Sequence, residues 1–204
     1  MVKEKSVDLG QTTMTYSIVT TEPAALGLIG LAVAALVIGS GYLQLTSHTD
    51  KALMIPWVLF FGATAQLIAG IMEFKRNNIF GATVFSTYAM AMFSIAITLL
   101  ISIFGGATID IAHYGYGLIA ILFFSFIATI ASLMTNKVFI GILVAVDIAV
   151  AALIAHYLAG SSAFLGGLFL MVTSALSFYG AAAILINSMA KKQVLSLGSP
   201  IWKP

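Results

Sequence analysis

The sequence predicts an all-α integral membrane protein that crosses the bilayer as six helices, with both termini on the cytoplasmic side. Three observations predict it: six long apolar runs, short polar separators between them, and a lopsided distribution of basic residues. Of the 204 residues, 61% are hydrophobic and 8% charged, far from the mix of a water-soluble domain. A hydrocarbon core about 30 Å thick takes about 20 helical residues to cross. Transmembrane strands would read as short segments of alternating polarity, whereas these runs are continuously apolar.

Residues 1–22 carry acids and lack an apolar core segment, so they read as a cytoplasmic tail and not as a cleavable signal. The six spans, which make up a transport domain over residues 23–190, are placed at Ala25–Leu45, Ala52–Met72, Thr83–Phe104, Tyr114–Met134, Phe139–Leu158 and Ala163–Asn187. Their separators are 46–51, 73–78, 105–113, 135–137 and 159–162, short enough for antiparallel neighbours. Residues 191–204 form a second cytoplasmic tail.

Basic residues near spans are retained on the cytoplasmic side. Lys3, Lys5, Lys75, Arg76, Lys137, Lys191, Lys192 and Lys203 lie on one side against Lys51 on the other. Interfacial aromatics support the same frame, with Tyr42, Trp57, Tyr114, Tyr116 and Tyr157 near the outer boundary. The net charge of +2 is therefore a topology signal. Basic residues scattered over inner loops, without stacking aromatics, exclude a nucleic-acid footprint. With no cysteine, the chain has no disulfide, thiolate ligand or cysteine nucleophile.

Small residues on helix two, Gly62, Ala65, Ala69 and Gly70, form a stripe that a neighbouring helix can approach closely. Gly27, Gly30, Gly166 and Gly167 take the same packing role. Polar groups at depth say more, because in hydrocarbon they must face protein or a water-filled cavity. Asp147 lies about 12 Å into helix five by the helical rise. It reads either as a neutral acid hydrogen-bonded to a neighbouring helix or as a proton-exchanging group. Gln66 reads equally as helix glue or as a pore-lining donor. Glu73 sits beside Lys75 and Arg76, where a solvated interfacial cluster is expected, and His113 and His156 read as interfacial. On helix three, Ser86 and Thr87 can bond back to their own helix, while the Tyr88 hydroxyl needs a partner at depth.

The chain has none of the usual catalytic motifs, no paired intramembrane carboxylates and no side chains at metal-ligand spacing. It reads as a non-enzyme without cofactor or metal. The spans hold no Lys or Arg, so an anionic cargo would meet amides, hydroxyls and helix N-termini.

The opening of helix one, Glu22-Pro23-Ala24-Ala25-Leu26-Gly27-Leu28, resembles the N-P-A-P-L-G-L signature of the acetate uptake transporter family, which includes bacterial succinate-acetate permeases. The stretch Ala65-Gln66, Ala69-Gly70, Glu73-Phe74-Lys75-Arg76, Asn78, Phe80-Gly81, Thr83 and Phe85-Ser86-Thr87-Tyr88 is similar to that family's positions in order and spacing. Ser177-Phe178-Tyr179 and Asn187 add to the likeness. Glu22, Ala25 and Ala89-Met90-Ala91-Met92 depart from it.

The resemblance implies transport of acetate and related small carboxylates, with succinate a candidate, by a six-helix protomer with its own pore, in a homohexamer in the cell (plasma or inner) membrane. It also implies a waist formed by Leu31, Tyr88 and Val146. Pro23, Leu26, Gly27, Gln66 and Thr87 are then the further candidates for substrate binding or pore lining, and Asp147 the candidate for proton coupling. An anion channel and a proton-coupled symporter both fit. The competing readings are a channel for small neutral solutes such as urea or undissociated acids, and a non-transporting scaffold or sensor.

Overall fold

Six helices long and apolar enough to cross a membrane account for most of the chain: α1 (Ala24–Tyr42), α2 (Lys51–Lys75), α3 (Ile79–Phe104), α4 (Ala112–Ser132), α5 (Lys137–Ala159) and α6 (Phe164–Ala190). These come from a computed structural model that describes residues 4–9, 12–17, 21–45, 51–105 and 110–203, the first two stretches as backbone alone. Most of the predicted separator 46–51, part of 105–113 and Lys3 lie outside the described residues.

The helices match the predicted spans, and their ends have local causes. Asn78 caps α3 by accepting from the Gly81 amide at 3.2 Å, which starts the helix four residues before the expected Thr83. Asn136 does the same for α5, accepting from Phe139 N at 3.0 Å. These side chains satisfy amides that a helix start leaves without intrahelical partners. Gly160, at φ 68°, ends α5 in the left-handed conformation that glycine adopts at little cost. At the junction after α2, Glu73, Phe74 and Lys75 are helical, so the predicted separator shrinks to residues 76–78.

In α2, wide π turns run over Val58–Ala65 between ordinary helical stretches. Pro56, which contributes no amide hydrogen, sits two residues ahead of them. Two side chains bond to carbonyls within these turns. Thr64 Oγ1 donates to the Leu59 carbonyl at 2.9 Å, and Gln66 Nε2 to the Gly62 carbonyl at 2.7 Å.

Around the bundle the packing order is α3, α2, α1, α6, α5, α4, and the ring closes by a narrow seam between α4 and α3. The tightest crossings use glycine, as close approach in lipid requires. A Cβ at Gly30 of α1 would run into the Phe61 carbonyl of α2, and one at Gly70 of α2 into Ser86 of α3. The paired Gly166 and Gly167 let α6 approach Leu153 of α5 and Tyr42 of α1 respectively. The core lies along α1 and α5 and includes Leu28, Leu31, Phe85, Ile142 and Val146. Phe60, Phe123, Ile127 and Ile130 are exposed on the outside, as lipid or a neighbouring apolar surface demands.

Both tails hold structure that the sequence reading left as plain tails. Near the N-terminus, β1 (Glu4–Leu9) and β2 (Thr12–Ser17) pair antiparallel with Glu4 opposite Ser17 and Leu9 opposite Thr12. At the other end the chain beyond α6 returns across the bundle. Its Leu197 carbonyl accepts from Val138 N at 3.1 Å, and Ile201 N and Trp202 N donate to the Leu133 carbonyl at 3.0 and 2.9 Å. The C-terminal segment thus forms a strap over the α4–α5 junction, held because side chains and loop carbonyls satisfy its backbone.

Candidate functional site

A connected chain of buried polar side chains crosses the seam between α3 and α4 and reaches α5. Tyr88 of α3 is 3% exposed, and its hydroxyl meets Ser125 Oγ of α4 at 2.7 Å. Its ring packs edge-on against Phe124, with centroids 5.5 Å apart. Ser125 Oγ also donates to Asp147 Oδ1 of α5, while Thr129 Oγ1 donates to Asp147 Oδ2 at 2.7 Å. Ser125 and Thr129 are one helical turn apart, so both reach the same carboxyl group. Asp147 lies ten residues from the start of α5, about 15 Å by the helical rise. Both its oxygens are occupied by hydroxyl donors from a neighbouring helix, the arrangement that makes a buried acid tolerable.

Leu31, Tyr88 and Val146, from three different helices, are buried in one cluster at 5%, 3% and 6% exposure. The other sequence candidates are dispersed. Pro23 is buried at the head of α1, and its carbonyl already accepts from the Gly27 amide at 3.2 Å. Gly27 packs against the Phe85 ring, Leu26 is 41% exposed, and Thr87 is half-buried. Gln66 is fully buried; its amide nitrogen serves Gly62, and Oε1 has no protein partner.

Glu73 is not part of a solvated cluster. It is fully buried, with Oε2 accepting from Asn78 Nδ2 at 2.9 Å, and Arg76 turns instead to Glu22 at 2.6 Å. Ser86 does not bond back to its own helix; its hydroxyl is buried against Gly70 without a protein partner.

At the far end of the bundle from the basic loops, a vestibule of about 720 Å³ opens between the helices. Tyr42, Tyr114 and Tyr157, expected at the membrane interface, instead turn inward to line it. The Tyr42 and Tyr157 hydroxyls meet at 2.5 Å, and the Tyr114 and Tyr157 rings pack edge-on at 4.8 Å. Trp57 and Tyr116 do stay on the surface, at 49% and 63% exposure. Lys51 and His156 also line the vestibule, with His156 Nδ1 bonded to the Ser161 carbonyl at 2.7 Å. No group of metal-ligating side chains occurs among the described residues.

The model of the GPR1/FUN34/yaaH family matches residues 7–197. The chain belongs to that family. Among its relatives, the succinate-acetate/proton symporter SatP of Escherichia coli K12 is 31% identical over 81 residues, 38% of this chain and 40% of the relative. An uncharacterized protein of Methanothermobacter thermautotrophicus is 27% identical over 94 residues, 46% of this chain and 45% of that one. The aligned stretches thus span less than half the length of these curated relatives. A solved structure, that of the bacterial acetate channel SatP, superposes with a TM-score of 0.81 at 22% identity, covering 88% of this chain and 100% of the other. The six-helix fold is therefore shared, and the GPR1/FUN34/yaaH chain is a multi-pass membrane protein.

Sequence reasoning singled out Asp147 and Tyr88 in this GPR1/FUN34/yaaH member but not Ser125 and Thr129, whose hydroxyls the structure places against them. The available signal was the pair of hydroxyls four residues apart in an otherwise apolar run.

Proposed function

We propose that the chain carries acetate and related small carboxylates, succinate among them, across the cell membrane through a pore within each protomer. One observation carries this reading: among the described residues, the vestibule lining presents Lys51, His156 and tyrosine hydroxyls and no carboxylate. Such a mouth concentrates small anions. The names of the relatives, a succinate-acetate/proton symporter and an acetate channel, support the same cargo. The reading is of a transporter and not of an enzyme.

In this scheme the carboxylate enters the vestibule and meets the collar of Leu31, Tyr88 and Val146, an apolar constriction that dewets when empty. Beyond the collar lie the first-turn amides of α1, which have no intrahelical acceptors, while Gln66 and Thr87 stand nearer the depth of the collar. Arg76, paired to Glu22, stands at the same end. An ionised Asp147, joined to the collar residue Tyr88 through Ser125 and next in sequence to Val146, repels a passing anion. Passage is therefore favoured when Asp147 carries a proton. The basic loops place both termini in the cytoplasm, and the family resemblance supports a homohexamer with one pore per protomer.

The test is labelled acetate flux into liposomes containing the purified chain, first under a pH gradient and then under a voltage at equal pH. Saturable flux competed by succinate and indifferent to urea is expected. Flux no greater than that of empty liposomes overturns the proposal, and competition by urea instead of succinate favours a neutral-solute channel.

A further inference from the structure

We infer that Ser125 relays the protonation state of Asp147 to the hydroxyl of Tyr88, so that the collar tyrosine turns its proton toward the pore only when Asp147 is protonated. The inference rests on Tyr88 being a collar residue, as the proposed function has it. The argument for the relay is a count of protons. A hydroxyl has one proton to donate, and an ionised carboxylate can only accept. Ser125 gives its proton to Asp147 Oδ1, so the bond between Ser125 and Tyr88 has to be donated by the tyrosine. Thr129 donates to Oδ2. With Asp147 ionised, the chain runs Tyr88 to Ser125 to Asp147, and the tyrosine proton is committed inside the seam.

Addition of one proton reverses the order. The carboxyl O–H formed at Oδ1 donates to Ser125 Oγ, and the Ser125 proton rotates to the Tyr88 oxygen. The Tyr88 O–H is thereby released to another acceptor. One proton enters at Asp147, none leaves the chain, and the other movements are hydroxyl rotations. A carboxylate at the collar then meets a hydrogen-bond donor in place of a filled lone pair. Proton loading and anion acceptance are linked through a single serine.

Few other ionisable groups are placed to interfere. Tyr88 is the only titratable residue of α3. On α4 they are His113, Tyr114 and Tyr116, in the first turns at the opposite end from Ser125 and Thr129. On α5 they are Lys137, His156 and Tyr157, at its two ends. α2, which packs against α3, has Lys51 at its vestibule end and the buried Glu73 with Lys75 at its other end; α6 has Tyr179, whose hydroxyl donates to the Ser196 carbonyl, α1 has Tyr42 at its vestibule end, and no ion pair to Asp147 occurs among the described residues.

Infrared difference spectra of the reconstituted full chain during a pH titration test the relay without relying on transport. Loss in Asp147→Asn identifies the Asp147 carboxylic acid stretch, and loss in Tyr88→Phe identifies the Tyr88 C–O stretch. In the unsubstituted protein the two bands are expected to change together. Ser125→Ala should abolish the tyrosine change while the carboxyl group still titrates, Ser125→Thr should restore it, and Thr129→Val should leave the coupling in place. A tyrosine band that ignores the carboxyl group overturns the inference, as does coupling that survives Ser125→Ala or is lost in Thr129→Val. If Ser125→Ala does not fold, the unsubstituted protein and Thr129→Val still decide. Acetate flux measured in parallel separates the two claims: coupled bands without flux sink the transport reading alone, and flux with uncoupled bands sinks the relay alone.

Discussion

Asn78 holds Glu73 with one end of its side-chain amide and caps α3 with the other. Nδ2 donates to Glu73 Oε2 at 2.9 Å, and Oδ1 accepts from the Gly81 amide at 3.2 Å. Glu73 is fully buried and its Oε1 has no protein partner, so Asn78 provides the hydrogen bond that its carboxyl group makes among the described side chains.

Asn78→Ala removes the cap and the bond to Glu73 together, and should cost about 2–4 kcal/mol in thermal unfolding of the detergent-solubilised protein. Asn78→Asp is the informative partner. Aspartate caps a helix as well as asparagine does, but it sets a second carboxylate against Glu73. It should be no more stable than Asn78→Ala at neutral pH and should recover on acidification, when a shared proton replaces the lost amide hydrogen bond. Wild-type stability for Asn78→Asp at neutral pH would show that Glu73 does not depend on this contact.

Gly70→Ala has no space beside Ser86, whose backbone nitrogen would lie 2.9 Å from the new carbon. Overpacking of this kind costs about 1–3 kcal/mol. Gly117→Ala on α4 meets nothing within 4 Å and should be neutral or slightly stabilising. Ser86→Ala should cost little by itself, since its buried hydroxyl has no protein partner, and should recover part of the loss in Gly70→Ala. Equal melting temperatures for the two glycine variants would refute the close α2–α3 crossing.

The six spans could be read from sequence because each is a continuous apolar run with polar ends, and lipid leaves few alternatives to a helix. Asp147 stood out for the same reason, as an acid in an apolar helix. Its partners did not, because a serine or threonine in such a helix can satisfy itself on its own backbone. Only the register of α4 against α5 shows that Ser125 and Thr129 both reach Asp147. Glu73 was misread from its neighbours in the chain. Lys75, two residues on, lies on another face of the helix, and Arg76 lies past the end of α2 and turns to Glu22. The inward turn of Tyr42 and Tyr157 was hidden as well, since an interfacial tyrosine and a vestibule tyrosine occupy the same place along a span.

Leu31→Ala and Val146→Ala should widen the collar without touching the Asp147 network. Both residues are nearly fully buried among apolar neighbours. Their truncation should raise succinate flux relative to acetate flux in liposomes, and Val146→Phe should lower both. Tyr88→Phe keeps the ring contact with Phe124 but deletes the hydroxyl, so it should retain the size preference while changing the pH profile. A succinate-to-acetate ratio unaltered by either truncation would remove these residues from the pore.

Asn187 is the anchor of the C-terminal strap, and its loss should release the segment as a unit. Its Oδ1 accepts from Val194 N at 2.7 Å and Leu195 N at 2.9 Å, and its Nδ2 donates to the Leu195 carbonyl at 2.8 Å. At about 1 kcal/mol per hydrogen bond, with some recovered by water, Asn187→Ala should destabilise the docked strap by about 2 kcal/mol, roughly 30-fold in its opening equilibrium. Hydrogen exchange should accelerate by that order at Val194 and Leu195. If the strap opens as one piece, Val138, Ile201 and Trp202 should follow, because their amides bond between the strap and the α4–α5 junction. Tyr179→Phe removes a single bond to the Ser196 carbonyl and should produce a smaller acceleration with the same pattern. Faster exchange confined to Val194 and Leu195 would mean that the junction contacts hold independently and that Asn187 fastens only its own end.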